Sequence, residues 1–290
     1  MMKRNFVLTN QGALVMKLKK FVSSMFAVIA LGAASASHAA ILTDIVMIVD
    51  ESGSMGTVQA NLRNNIGTFA NILSAGGVDA RFALIGYGNS AIVPRTLTTF
   101  TTAGGFATAA LGLVASGGTE PGYTSIAYAL NAFGSSGLTY RPNAVANVIL
   151  FTDEPSNGDT ALRGGGTAWT FSLIDQLLTD SDALFNAVLS GTNTISSFGG
   201  LATGHGGQVF ALSGLNTSNQ TVVENFVTAF AEAKLEETLT FCQLNPTAPQ
   251  CQGNTVPEPG SMALIGLGLL GMASLRRKFK GNNNAVLAVA

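Results

Sequence analysis

The sequence predicts an α/β fold: a doubly wound, mostly parallel central sheet with helices on both faces. Three observations predict it. Two charge-free apolar runs, Ile45-Val46-Met47-Ile48-Val49 and Val148-Ile149-Leu150-Phe151, lack the alternation of a half-exposed strand, so both faces of each must be covered. Each run ends in a carboxylate within two residues, Asp50 and Asp153, and parallel sheets gather ligands at the carboxyl ends of their strands. Around these runs, strand-like stretches alternate with stretches of helical spacing, the order of a doubly wound sheet with one short antiparallel edge.

The elements follow in order. Residues 58–73 place Leu62, Ile66, Phe69, Ile72 and Leu73 at helical spacing, and Gly76-Gly77 stops the helix. Residues 80–87 read as a strand. Residues 96–102 are Thr-rich and suit an edge strand with one wet face. A short helix is expected over 106–114, and another after the loop at Gly117-Gly118. Beyond the second apolar run come a helix over 171–178, a strand over 184–189 and a last strand over 208–212. An amphipathic helix over 219–239, with Val222, Val223, Phe226, Phe230 and Leu235 on or near its apolar side, closes the domain. The glycine clusters at 164–166 and from Gly199-Gly200 through Gly206-Gly207 read as loops, with His205 a solvated loop side chain.

The chemistry concentrates after the first strand. Asp50 offers a hard anionic oxygen, Ser52 and Ser54 add neutral hydroxyls, and Gly53 permits a tight turn between them. Such a set suits Mg²⁺, or Ca²⁺ or Mn²⁺, better than zinc, which favours His and Cys. Asp-x-Ser-x-Ser after a buried strand resembles the metal-ion-dependent adhesion site of von Willebrand factor type A domains. Two downstream stretches extend the resemblance over residues 43–239. In Gly117-Gly118-Thr119-Glu120-Pro121-Gly122-Tyr123-Thr124, the family's loop brings one further ligand to the metal. The helix register points to Thr124, a likeness to the integrin β form points to Glu120, and position after the glycines points to Thr119. A threonine would leave the cation short of negative charge, whereas a glutamate would partly satisfy it. All three could instead cap the following helix. The resemblance implies that Asp153 reaches the metal through water. Glu154 stands where glycine is more common in the family, and its charge would favour Ca²⁺ or a second cation shared with Asp159.

The resemblance implies a binder, not an enzyme: the cation keeps one position open for an acidic side chain of a protein partner. Bracing of the fold by the metal, in a structural matrix protein, is the alternative. The chain has no Gly-Lys-Ser/Thr phosphate loop and no His-Glu-x-x-His, and a Ser-His-Asp hydrolase would have to rely on His205. Between Ala40 and Thr255, six basic residues face fifteen acidic ones, a net charge of about −9 that repels nucleic acid.

The ends carry processing signals. Met16-Lys17-Leu18-Lys19-Lys20, an apolar stretch and Ser37-His38-Ala39 read as a signal peptide over residues 1–39, with Met16 a possible true start. Cys242 and Cys251, in a linker over 240–255, are expected to pair in an oxidising compartment. Pro257-Glu258-Pro259, an apolar stretch and Arg276-Arg277-Lys278 resemble the PEP-CTERM sorting signal over 256–280, followed by a tail over 281–290. That likeness implies a Gram-negative host, an exosortase-type processing enzyme, and delivery to the outer surface or extracellular matrix. The apolar stretch is short for a permanent span, so its insertion in the inner membrane is expected to be transient.

Overall fold

The computed structural model describes residues 40–89, 94–159, 162–163 and 167–251. The signal peptide, the sorting motif (Pro257, Glu258, Pro259, Arg276, Arg277, Lys278) and the tail lie outside the described residues. Among the described residues no helix is long and apolar enough to cross a membrane.

The chain begins with β1 (Ile41–Asp50) and, after a 3-10 turn at Gly53–Met55, α1 (Gly56–Ala75). β2 (Val78–Tyr87), β3 (Arg95–Thr101), α2 (Ala103–Ala109) and α3 (Gly122–Ala129) lead to β4 (Val145–Thr152). A two-residue-a-side hairpin, β5 (Leu162–Arg163) and β6 (Thr167–Ala168), precedes α4 (Phe171–Asp180), β7 (Leu184–Leu189), α5 (Thr192–Gly204), β8 (Val209–Ala211) and α6 (Gln220–Leu244). Six strands form one sheet in the order β3-β2-β1-β4-β7-β8. All neighbours are parallel except β3, which runs antiparallel to β2 at the edge.

Side chains alternate across the sheet and divide the core in two. Ile45, Met47 and Val49 of β1 join α1, α2 and α6 on one face, while Val46 and Ile48 join α3, α4 and α5 on the other. Covering both faces is what the unbroken apolar runs require. A bidentate pair of Arg81 with buried Asp44, joined by Arg141, ties β2 and the segment before β4 to β1.

Three expectations need correction. Gly199 and Gly200 lie inside α5, not in a loop. A methyl group on Gly199 would sit 3.2 Å from Ile195 Cγ2 and 3.6 Å from Val209 Cγ2, and one on Gly200 would sit 3.2 Å from the Phe171 ring. These glycines let the helix pack closely against β8 and α4. His205 is not a solvated loop residue: its side chain is 9 % exposed and Nε2 lies 2.9 Å from Asp175 Oδ1. The closing helix runs past Leu239 to Leu244 and so carries Cys242, whose disulfide to Cys251 fastens the following turn to it.

Candidate functional site

β1 and β4 are hydrogen-bonded neighbours in parallel register, so the ends that carry Asp50 and Asp153 emerge side by side. Asp50 is fully buried. Its Oδ1 accepts from the Ser52 amide at 2.7 Å, which curls the chain back over the strand end, and its Oδ2 accepts from Thr152 Oγ1 at 2.8 Å. Ser52 and Ser54 turn their hydroxyls toward each other, 3.2 Å apart.

The Gly117-Gly118 loop is pulled against this strand end by Glu51, the residue between Asp50 and Ser52. The Ser116 and Gly117 amides donate to Glu51 O, Gly53 N donates to Gly117 O, and the Glu51 carboxylate is held by Arg95 and by the Val114 amide. Only glycine fits at 117, because a Cβ there would lie 1.4 Å from Gly88 O. Gly88, at φ +82°, is also constrained: a Cβ there would lie 3.0 Å from Asp50 Oδ1 and 3.5 Å from Glu120 Cγ. The bare backbone of Gly88 thus lies against both of these buried side chains.

The structure treats the three loop candidates differently. Glu120 is 4 % exposed and gripped by Asn157, which donates Nδ2 to Oε2 at 2.7 Å, accepts the Glu120 amide on Oδ1 and donates its own amide to Glu120 O. Thr124 is fully buried, but its amide and hydroxyl both donate to Asp159 Oδ1, at 2.9 and 2.8 Å. Thr119 is exposed. Asp153 is half-buried, and its Oδ1 is enclosed without a hydrogen-bond partner. Glu154 is exposed.

Sequence reasoning missed Thr152, Asn157 and Tyr87. Burial first, then the charges of Asp50, Glu120 and Asp159, push the Tyr87 hydroxyl well above its ordinary pKa, so it stays neutral beside them. Its place at the carboxyl end of a buried strand, opposite Asp50 in the β1–β2 register, was the available signal.

Asp50 itself is pushed up to about 6, by burial and further by Glu120, against the Ser52 and Thr152 hydrogen bonds that hold it down. Asp159 is raised as well, by burial. A folded-state value above the ordinary 3.8 means that the fold binds the extra proton, so this group's contribution to stability is lost as pH rises from about 4 through about 6. With a chelator present, the wild type should lose up to about 3 kcal/mol relative to Asp50→Asn over that interval, with a level difference above it. Denaturant titrations of both proteins at several pH values check this, and a pH-independent difference would contradict it.

These features test the fit of a divalent cation. Asp50 and Glu120 are buried, and neither forms an ion pair with a Lys or Arg of the described residues. The enclosed Asp153 Oδ1 lacks a partner, and buried polar atoms are rarely left so. Among the described residues no group of three or more His, Cys, Asp or Glu could hold a metal, so a cation here would depend on hydroxyls as well. The donor set is all oxygen, and it fits a hard cation.

No curated protein matches the chain. Among solved structures, proximal thread matrix protein 1 from the mussel byssus aligns at 14 % identity and TM-score 0.48, covering 68 % of this chain and 47 % of that one. A second crystal form of it aligns at 16 % and 0.44, covering 67 % and 47 %. This chain therefore spans about half the length of those it matches. The PEP-CTERM protein-sorting motif matches residues 255–278. The von Willebrand factor type A domain model matches residues 44–167, and the six-stranded, mostly parallel sheet with helices on both faces is of that kind.

Proposed function

We propose that this chain is an exported surface or matrix protein that grips an acidic side chain of a protein partner through a divalent cation. The sorting motif implies export in a Gram-negative bacterium and processing by an exosortase-type enzyme. The observation that carries the adhesive reading is the pair of buried carboxylates, Asp50 and Glu120, brought together without a basic partner at the carboxyl ends of parallel strands. Asp50, Ser52 and Ser54 would hold the cation, with Glu120 the further carboxylate and Asp153 contributing its free oxygen. Thr124 is the less suited loop residue, since its hydroxyl already serves Asp159. When bound, the cation supplies a Lewis-acidic position for a partner's carboxylate; Mg²⁺, Ca²⁺ and Mn²⁺ are the candidates. The site binds and does not catalyse.

Capture of partners from the outer surface on immobilised full-length chain should yield a protein that EDTA releases and that Asp50→Ala fails to retain. Retention through both treatments would refute the adhesive reading. The deep burial of both carboxylates favours a second reading, in which the cation braces the loops. Cation-dependent melting together with cation-independent partner binding would distinguish it.

A further inference from the structure

At the opposite end of the sheet from Asp50, α6 buries a lysine against a strand asparagine. Lys234 is fully buried, and its Nζ is in hydrogen-bond contact with Asn147 Oδ1 on the central strand β4, 87 residues away in sequence. Glu237, one helical turn on, places Oε2 2.7 Å from the same Nζ. The amide is oriented: Asn147 Nδ2 donates to Thr43 Oγ1 at 3.3 Å, which turns the carbonyl toward the lysine. Glu237 is oriented too, since Oε2 accepts from Asn186 Nδ2 at 2.9 Å, while its Oε1 is buried with no hydrogen-bond partner.

We propose that Lys234 and Asn147 join in an intramolecular isopeptide bond, with Glu237 as the catalytic proton carrier. The neutral Lys234 amine attacks Asn147 Cγ, and Glu237 takes a proton from the attacking nitrogen. The protonated carboxyl then delivers it to Nδ2, the Cγ–Nδ2 bond breaks and ammonia departs. One primary amide and one amine become one secondary amide and one ammonia, with no oxidant, reductant or activated co-reactant.

Three further features suit this chemistry. Burial pushes the Lys234 pKa down, against the opposing pull of Glu237, and so favours the amine that carries the lone pair. A buried nucleophile and carbonyl held in contact have already lost the freedom that an encounter in water would cost. Glu237 also borders an open cleft of about 560 Å³, lined by Leu184, His205 and Phe241 among others, which gives the ammonia a way out. The bond would fasten the closing helix to the centre of the sheet, where the Cys242–Cys251 disulfide already fastens the turn after that helix.

The test is intact-mass and peptide mass spectrometry on the full-length chain, folded and with its disulfide formed. The expected result is a mass lower by one ammonia, a branched peptide joining Asn147 to Lys234, and resistance to trypsin after Lys234. Glu237→Gln should restore the unlinked mass, as should Lys234→Arg. A cooperatively melting wild type in which Asn147 and Lys234 are both recovered unlinked would overturn the proposal, as would conversion of Asn147 to aspartate without a link. Linkage to the same extent in Glu237→Gln would overturn the role given to that carboxylate.

Discussion

Millimolar Mg²⁺, Ca²⁺ or Mn²⁺ is expected to raise the melting temperature of the chelator-treated protein, and Asp50→Ala is expected to abolish the rise. A cation that binds only the folded state stabilises it by about 2.7 kcal/mol at a hundredfold excess over its dissociation constant. For a domain of this size each kcal/mol moves the midpoint by about 2–4 °C, so the rise should be about 5–10 °C. The effect should be large because the metal-free fold carries Asp50 and Glu120 buried together, and a cation would relieve both the desolvation and the repulsion that raise the Asp50 pKa. Calorimetric titration should show the same dependence, with heat for the wild type and none for Asp50→Ala. Asp153→Ala should weaken the response and Thr124→Val should leave more of it, since that hydroxyl is committed to Asp159. The claim fails if no cation shifts the wild-type midpoint, or if Asp50→Ala shifts as much as the wild type.

Phe230→Ala should be the most damaging single substitution on α6, costing about 3–5 kcal/mol. Phe230 is 3 % exposed and its ring meets Phe69 of α1 at 5.4 Å, Phe151 of β4 at 6.2 Å, Phe210 of β8 at 4.7 Å and Phe226 of its own helix at 5.7 Å between centroids. Removing it leaves a cavity that four rings from separate elements cannot easily collapse to fill, and edge-to-face contacts are lost besides. Leu244→Ala, at an exposed position on the same helix, should change stability by no more than about 0.5 kcal/mol. Denaturant unfolding of both variants checks the pair. A loss below about 1 kcal/mol for Phe230→Ala would mean that the helix does not dock on this face.

Much of the fold was legible along the chain. The strands at 41–50 and 145–152 announced themselves by the charge-free runs at 45–49 and 148–151, and the edge strand at 95–101 by its threonines, because burial on two faces, or exposure on one, selects residues directly. The glycines at 199 and 200 misled because a glycine chosen for close helix packing looks, in sequence, like one chosen for a turn. At the site, Asp50, Ser52 and Ser54 could be read from local spacing. The fate of Glu120 and Thr124 could not, because it depends on Asn157 and Asp159, which lie 37 and 35 residues further on and return over the loop only when the sheet assembles.

By itself, then, the sequence determined the layered α/β architecture, the strand ends that carry Asp50 and Asp153, and the sorting motif that follows the domain. Periodicity and composition report how wet each position is, and those are properties of one segment at a time. Which side chains oppose one another was decided only by tertiary structure. Glu120 standing beside Asp50, Thr124 given over to Asp159, and Lys234 set against Asn147 all follow from sheet register and from the angle at which helices dock, and neither quantity is written in any single stretch of chain.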